Sequence, residues 1–356
     1  MTYKQKMDEE LKRIRNKSQV RILAIESSCD ETSVAIVENG REVLSCVIDT
    51  QIEIHKRFGG VVPEVASRNH IQAIDNVCNE ALKQANLTFD DIDLIAVTYG
   101  AGLLGALLVG VSFAKGLAFA LNKPLLAINH IKGHIASNYI THKNLQPPFV
   151  CLLVSGGHTA ILNVKNYKNF ELVGSTVDDA VGECFDKVAR IMGLSYPGGV
   201  NIDRMATKGT PNIEFTHKNI LNGTYNFSFS GIKTAVINYV HNLKQKNEEI
   251  NISNISASFQ KLVVGELSNK TIEAMKALKS KKLVVAGGVS ANSYLKDELT
   301  KKCNENGFEL FMPELKYCTD NAAMIGSCAY FELMNGMNCA NIDLTAKSTL
   351  PLCQNE

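Results

Sequence analysis

The sequence predicts an α/β fold that is built twice, as two lobes with a cleft between them. The chain has 356 residues, more than twice the roughly 150 residues of a typical domain. Hydrophobic residues make up 45% and charged residues 21%, which is the balance of a globular protein with a large core. The predicted strands and helices fall into two similar series, and each series opens with a hairpin around a small polar loop. Two such series indicate an internal duplication.

The first series opens with an antiparallel meander. Short apolar runs predict strands at 22–25, 33–37 and 42–48, and Asn39-Gly40 between the last two predicts a hairpin turn. Apolar residues then recur at helical spacing between further short apolar runs, so helices and strands alternate. These elements are a helix at 66–86, a strand at 93–97, a helix at 103–121, a strand at 125–128 and a helix at 131–140.

The second series repeats this order. Strands are predicted at 150–154, 159–164 and 170–175, and the first two are joined by a turn at 155–158. The remaining elements are helices at 179–192, 232–243 and 253–277, a strand at 283–285, a helix at 292–306, a strand at 308–311 and a helix at 320–334.

The two series define the predicted domains. These are an extension at 1–20, a first lobe at 21–148, a second lobe at 149–335 with a polar insertion at 209–226, and a tail at 336–356. Met7, Leu11 and Ile14 can form a thin helical stripe for a partner, but we expect a solvated extension. We expect the insertion to lie over the cleft rather than in a core.

Composition and charge exclude several classes of protein. The 37 basic and 36 acidic residues leave a net charge of +1, so any nucleic acid must bind a local patch. The ten cysteines include no C-x-x-C pair, which favours reduced, buried thiols in a cytosolic protein over disulfides or structural zinc. The N-terminus lacks the apolar run of a secretory signal, and glycines and a lysine interrupt the longest apolar segment. We therefore expect a cytoplasmic protein without a membrane span.

Small residues follow three predicted strands. They are ESSCDET at 26–32, VSGGHT at 154–159 and VAGGVSAN at 285–292. Glycine lets the backbone approach a ligand, and consecutive amides can bind phosphate. Three such loops at related places of a duplicated fold predict a nucleotide between the halves. Their spacing is neither that of Walker A nor that of G-x-G-x-x-G.

Two histidines have the spacing of metal ligands. His130 and His134 stand four residues apart at the start of a predicted helix, so both imidazoles share one face, although such a pair can also be structural. Asp320 can be a helix cap or, if the two halves face each other, the third ligand. Two imidazoles and a carboxylate suit Fe(II) or Zn(II). Ile131 stands where a zincin has its general base, which disfavours a metalloprotease.

A further polar group is predicted in the second half. Asp186 and Lys187 lie in a predicted helix, and Gly198, Gly199 and Asp203 follow it. The segment YPGG at 196–199 can be only a turn, but its place after a helix that carries an aspartate also suits the recognition of ribose hydroxyls.

Eight motifs occur together and in order. They are ESSCDETS at 26–33, GGVVPEVASR at 59–68, HIKGH at 130–134, LVSGGHT at 153–159, YPGG at 196–199, SFSGIK at 228–233, AGGVSAN at 286–292 and CTDN at 318–321. The set closely resembles the tRNA N6-adenosine threonylcarbamoyltransferase family in its bacterial or organellar form, over about residues 21–335. The resemblance implies the actin-like fold (ASKHA, ribonuclease H-like), with a nucleotide and metal cleft between the lobes.

The resemblance also implies site residues. A divalent metal, Fe(II) in preference to Zn(II), would be held by His130, His134 and Asp320. Substrate contacts would come from Leu153, Val154, Ser155, Gly156, Gly157, Asp186, Gly199, Asp203 and Asn292. No general acid or base is assigned, and His158, Asp30 and Lys233 stay open for proton transfer.

The implied reaction modifies tRNA. In the family chemistry, the exocyclic amine of the adenosine 3′ of the anticodon, in tRNAs that read ANN codons, attacks threonylcarbamoyl-adenylate and AMP leaves. The resemblance implies two protein partners, an inactive paralogue of similar fold and a small P-loop ATPase. The alternatives are an ATP-binding switch or chaperone-like protein of the same fold and, with less support, a metallopeptidase.

Overall fold

The computed structural model describes residues 2–216, 221 and 223–351, and within them the strands form two five-stranded sheets. The strands are β1 (Arg21–Glu26), β2 (Glu31–Glu38), β3 (Glu42–Thr50), β4 (Leu94–Gly100), β5 (Leu125–Asn129), β6 (Phe149–Val154), β7 (Thr159–Val164), β8 (Phe170–Ser175), β9 (Lys282–Ala286) and β10 (Glu309–Phe311). The helices are α1 (Tyr3–Ile14), α2 (Ile52–Lys56), α3 (Pro63–Ala85), α4 (Leu104–Ala120), α5 (His130–Thr141), α6 (Val181–Ile191), α7 (Gly198–Ala206), α8 (Ser230–Gln245), α9 (Ile252–Ala277), α10 (Ser293–Asn306) and α11 (Ala322–Met334).

The two sheets have the same strand order, which confirms the predicted duplication. The first is β3-β2-β1-β4-β5, and the second, in the same direction, is β8-β7-β6-β9-β10. In each sheet the first three strands form an antiparallel meander and the last two join it in parallel. The predicted hairpin turn is present, with Asn39 and Gly40 both at positive φ. Glycine and asparagine adopt this conformation at little cost.

Helices cover the faces of both sheets, so the central strands are buried. Every residue of β6 is buried, as is nearly every residue of β1. The predicted apolar helix at 103–121 is α4, which packs on β4 and α3. The last helix, α11, returns to the first sheet and packs against α5, β1 and β2. The predicted second lobe at 149–335 therefore includes one helix, α11, that packs on the first lobe.

The N-terminal segment corrects a prediction. Residues 3–14 form α1 instead of a solvated extension, and Met7, Leu11 and Ile14 are at most 1% exposed in the first core. Thr2 and Gln5 make a reciprocal capping box that starts the helix. Three apolar side chains at helical spacing suffice because the first core offers them an apolar surface, which the local sequence does not reveal.

The segment at 336–351 is also packed. The Lys347 amide donates to the Tyr99 carbonyl (2.8 Å), and the Gly102 amide donates to the Ser348 carbonyl (3.0 Å). A Cβ at Gly102 would lie 2.6 Å from the Ser28 carbonyl oxygen. The tail therefore supports a loop that packs directly on Ser28.

The insertion predicted at 209–226 falls partly outside the described residues, at 217–220 and 222. Its described residues Ile213 and Phe215 pack against the second core, and the Phe215 ring meets Tyr239 edge-on. The insertion was predicted to lie over the cleft rather than in a core, so the packing of these two residues against the second core differs from that prediction.

The described cysteines are all unpaired, and most are buried, as the sequence predicts. Cys353 lies outside the described residues. Among the helices of the described chain, none has the length and apolarity needed to cross a bilayer.

Candidate metal and nucleotide site

The paired histidines stand at the junction of β5 and α5. Asn129 ends the strand, and its side-chain oxygen accepts a hydrogen bond from the Ile131 amide (2.8 Å), which caps the helix at His130. His134 lies one turn later on the same face, and the two imidazole centroids are 4.6 Å apart. Both side chains are buried.

Small residues bring the third side chain to these histidines. A Cβ at Gly133 would lie 2.6 Å from Ile325 of α11, so the glycine permits close packing of α5 and α11. The helix predicted from Asp320 begins two residues later, and Asn321 is its cap. The Asp320 carboxylate is therefore not the cap and faces the imidazoles.

These three side chains form a compact group of donor atoms. Asp320 Oδ1 lies 3.5 Å from His130 Nε2 and 3.2 Å from His134 Nε2. One ligand atom from each residue lies within 4.8 Å of the others. Two imidazole nitrogens and one carboxylate oxygen form a donor set that suits a divalent transition metal. The group can hold such an ion and leaves coordination positions for other ligands.

A buried carboxylate orients His130. The Glu26 side chain is fully buried, and its Oε2 accepts hydrogen bonds from His130 Nδ1 (3.0 Å) and Thr98 Oγ1 (2.6 Å). Its Oε1 accepts the Ser28 amide (2.5 Å). A proton on Nδ1 leaves the lone pair of Nε2 for an ion, so Glu26 selects the tautomer that a metal requires. The loop at 26–32 was expected to bind nucleotide, and this role of its first residue was missed.

Electrostatics favour a cation at this point. Burial disfavours the His130 imidazolium, but the carboxylates of Glu26 and Asp320 outweigh burial and raise its pKa to about 9. Burial likewise raises the pKa of Asp320, but His130 and His134 outweigh it and lower that pKa to about 2. The carboxylates thus hold a positive charge between them, which a proton or a metal ion can provide.

The glycine loop after β6 lies beside the loop after β9. Gly287 has a φ of 95°, and a Cβ there would lie 2.4 Å from the Val154 carbonyl oxygen and 3.1 Å from the Ser155 Cβ. Gly182 in the first turn of α6 donates its amide to the Ser155 carbonyl (3.2 Å). An added Cβ at Gly156 meets open space. The backbone of this loop is therefore accessible to a ligand.

The other predicted substrate residues form two small clusters. Asn292 caps α10. Asp203 accepts hydrogen bonds from the amide and the hydroxyl of Ser293, the residue that follows Asn292 (3.1 and 2.9 Å). Asp186 accepts the amide of Gly198 (2.7 Å), and Gly199 follows in the first turn of α7. The segment YPGG is thus the start of a helix rather than only a turn.

Two of the predicted substrate residues are buried. Leu153 and Val154 are at most 1% exposed, because both lie in the central strand β6. Their side chains pack in the cores and their backbone pairs with β7, so neither residue is exposed to a ligand in the cleft.

The three groups left open for proton transfer differ in their surroundings. Burial and the positive charges of His130 and His134 lower the pKa of His158 to about 4, so it is a neutral imidazole close to the donor group. Asp30 is buried, and Tyr196 Oη approaches its Oδ2 from the second lobe (3.4 Å). Lys233 is held in an ion pair with Asp179 (2.5 Å).

Glu31 is a further acidic residue that sequence reasoning missed. Burial and the negative charges of Asp30 and Asp320 raise its pKa to about 10. These surroundings disfavour its ionised form. Only the folded arrangement of the three carboxyl groups produces this effect, so no sequence signal could have indicated it.

The chain is similar to proteins of one known family. A family model described as tRNA N6-adenosine threonylcarbamoyltransferase matches residues 42–327. The chain belongs to this family. A protein of that name from Clostridium perfringens is 57% identical over 332 residues, which are 93% of this chain and 98% of the relative. A second, from Clostridium botulinum, is 56% identical over 337 residues, 94% of this chain and 99% of the relative.

Solved structures share the fold at low sequence identity. HypF from T. kodakarensis has a TM-score of 0.61 at 13% identity, covering 89% of this chain and 48% of that chain. Component A of the (R)-2-hydroxyglutaryl-CoA dehydratase of Acidaminococcus fermentans has a TM-score of 0.52 at 14% identity, covering 88% and 99%. With the family match, these neighbours confirm the predicted duplicated actin-like fold.

Proposed function

We propose that this chain transfers the threonylcarbamoyl group from threonylcarbamoyl-adenylate to the N6 amine of the adenosine 3′ of the anticodon. The membership of the chain in the transferase family carries this proposal. The amine nitrogen forms a bond to the carbonyl carbon and loses one proton, the bond from that carbon to the phosphate oxygen breaks, and AMP leaves with the electron pair. Because AMP is a good leaving group, the protein must mainly align the reactants and stabilise developing negative charge.

The glycine loops would bind the adenylate. The accessible amides of Gly156 and Gly157 and the hydroxyl of Ser155 are donors for phosphate oxygens. Asp186 and Asp203 would bind the nucleoside hydroxyls, with Gly199 and Asn292 beside them. The clustering of these residues in the second lobe supports this assignment.

His130, His134 and Asp320 would hold one divalent metal ion, Fe(II) in preference to Zn(II). Their donor atoms and the orienting contact from Glu26 support the three-residue site, and the preference for Fe(II) rests on the family resemblance. A bound ion would supply a Lewis acid in the cleft. Glu26 would keep His130 in its ligating tautomer.

The proposed partners are an inactive paralogue of similar fold and a small P-loop ATPase. Ile71 on α3 and Leu104 and Leu108 on the neighbouring helix α4 are exposed. Exposed apolar residues on two packed helices support a helical partner surface. We expect the reaction in the cytoplasm, where the unpaired cysteines would stay reduced.

Mass spectrometry of tRNA nucleosides tests the proposed reaction. Metal-loaded protein, its partners, tRNA and threonylcarbamoyl-adenylate should together yield modified adenosine, and Asp320→Asn should abolish the product. Glu314→Gln, in the same loop but exposed, should retain it. Absence of product with every component present and wild-type protein folded and metal-loaded would refute the transferase assignment.

Titration calorimetry with AMP tests the adenylate site separately. Gly156→Val should fold, because an added Cβ meets open space, but its bulk would occupy the ligand volume. Gly265→Val, on α9 and also facing open space, is the matched control. Wild-type AMP affinity in Gly156→Val would reject this placement. A nucleotide switch would bind AMP but leave tRNA unmodified, and a peptidase would cleave protein instead.

A further inference from the structure

An exposed aromatic side chain stands in the loop between α2 and α3. Phe58 is 56% exposed, and Arg57 and Gly59 beside it are exposed as well. His55, which is fully buried, anchors the loop. The His55 carbonyl accepts the amides of Phe58 (3.0 Å) and Gly60 (3.3 Å). The loop is therefore built to present Phe58 to the outside.

This loop forms one rim of the cleft between the lobes. Arg190 Nη2, on α6 of the second lobe, donates to the Gly59 carbonyl. Arg190 lies one helical turn after Asp186, which belongs to the proposed adenylate site. The start of α2 is tied to the cleft as well, because the Gln51 amide donates to the Asp30 carbonyl (3.0 Å). Phe58 thus stands where a large substrate would enter.

The two arginines at this rim are outside ion pairs, although the charge of Arg190 also acts on the Asp186 carboxylate one helical turn away. In the described part of the chain, neither Arg57 nor Arg190 has a carboxylate within ion-pair distance. By contrast, the nearby cations Lys56 and Arg68 are paired with Glu53 and Glu64. A chain with a net charge of +1 needs such a local patch to bind a polyanion.

We propose that Arg57, Phe58 and Arg190 form a docking surface for single-stranded RNA, namely the tRNA loop that carries the target adenosine. This inference rests on the proposed function. An adenine can offer its exocyclic amine to the cleft only when it is unpaired and turned out of the stack, and proteins bind such loops by stacking bases on aromatic rings. Phe58 would stack on a base, and the arginines would contact phosphates. The positive charge of the two arginines favours RNA over an apolar protein surface as the occupant.

Binding of an anticodon stem-loop RNA tests the stacking role. The full chain, metal-loaded and with its partner proteins, is titrated with labelled RNA. Phe58→Ala should lower the RNA affinity by roughly 5- to 150-fold, the usual effect of removing one stacking ring, while Phe58→Trp should retain it. Phe119→Ala is the matched control, because Phe119 is 67% exposed on α4 and should not affect RNA binding. AMP affinity serves as the measure of an intact adenylate site.

The salt dependence of binding tests the arginines. Arg57→Ala and Arg190→Ala should each reduce the slope of log affinity against log salt by about one, and Arg190→Lys should restore it. Arg13→Ala, on the exposed face of α1, should leave the slope unchanged. Equal losses in Phe58→Ala and Phe119→Ala, or an unchanged RNA affinity in Phe58→Ala, would overturn the docking surface. Loss of partner binding in Phe58→Ala with retained RNA affinity would assign the loop to a protein and likewise overturn it.

The docking surface and the proposed reaction can fail separately. If wild-type protein modifies tRNA and Phe58→Ala does so with an unchanged KM for RNA, only the docking surface is wrong. If wild-type protein with all components neither binds nor modifies tRNA, the proposed function itself is wrong.

Discussion

Replacing Glu26 with glutamine should weaken metal binding without unfolding the chain. Oε2 of Glu26 accepts His130 Nδ1 and Thr98 Oγ1, while Oε1 accepts the Ser28 amide. Glutamine has the same shape but only one oxygen, so its amide nitrogen must face either Ser28 or His130. The variant therefore loses an acceptor as well as the charge that fixes the His130 tautomer.

The size of this effect follows from the contact that is lost. Replacing the group that orients a ligating histidine commonly lowers metal affinity by about 10- to 100-fold, which corresponds to about 1.4–2.7 kcal/mol. The pH dependence should change as well. In the wild type a proton on His130 competes with the metal, so affinity should rise with pH until the pKa of about 9 is reached. Without the Glu26 charge this pKa falls, and the affinity should level off at a lower pH.

Competition with a calibrated chelator between pH 6 and 9 measures both quantities. Circular dichroism and thermal unfolding show whether Glu26→Gln is folded. Glu38→Gln, in a partly exposed ion pair with Arg21, is the charge-matched control and should bind metal as the wild type does. Thr98→Val keeps the carboxylate and should have a smaller effect. A folded Glu26→Gln with wild-type affinity and pH profile would refute the orienting role.

Three further predictions concern elements around the site. Leu11→Ala should lower the free energy of unfolding by about 2–5 kcal/mol, since Leu11 is fully buried. Lys12→Ala, on the exposed face of α1, should change it by less than about 0.5 kcal/mol. Equal denaturation midpoints for the two variants would show that α1 is not packed in solution. Gly287→Ala should lower the free energy of unfolding by about 1–3 kcal/mol or more, because alanine is strained at positive φ and its Cβ would overlap backbone atoms. Gly288→Ala should be tolerated, because an added Cβ there meets open space. Urea unfolding that ranks the two variants the other way would contradict this prediction. Ending the chain after Ala346 removes the tail contacts to the loop on Ser28 and should reduce metal affinity several-fold; chelator competition that finds no change would show that the tail does not support the site.

Much of the fold could be predicted because its signals are local. Alternating and helical periodicities of apolar residues indicate which face of an element is buried, and Asn39-Gly40 indicates a turn by its backbone preference. The repetition of this pattern predicted the duplication, which the matching strand orders confirm. The spacing of His130 and His134 likewise places both side chains on one helical face, whatever the rest of the chain does.

The tertiary structure decided what depends on distant residues. Leu11 has the same local context in a solvated extension as in a packed helix, and only the apolar surface of the first core selects the latter. Asp320 meets the histidines because Gly133 lets α11 approach α5, a contact between segments nearly 200 residues apart. Glu26 orients His130 across a separation of 104 residues, and burial together with the charges of Asp30 and Asp320 raises the pKa of Glu31. Packing, hydrogen bonding and charge act through space, so a one-dimensional pattern can indicate which residues are suited to a site but not which of them meet.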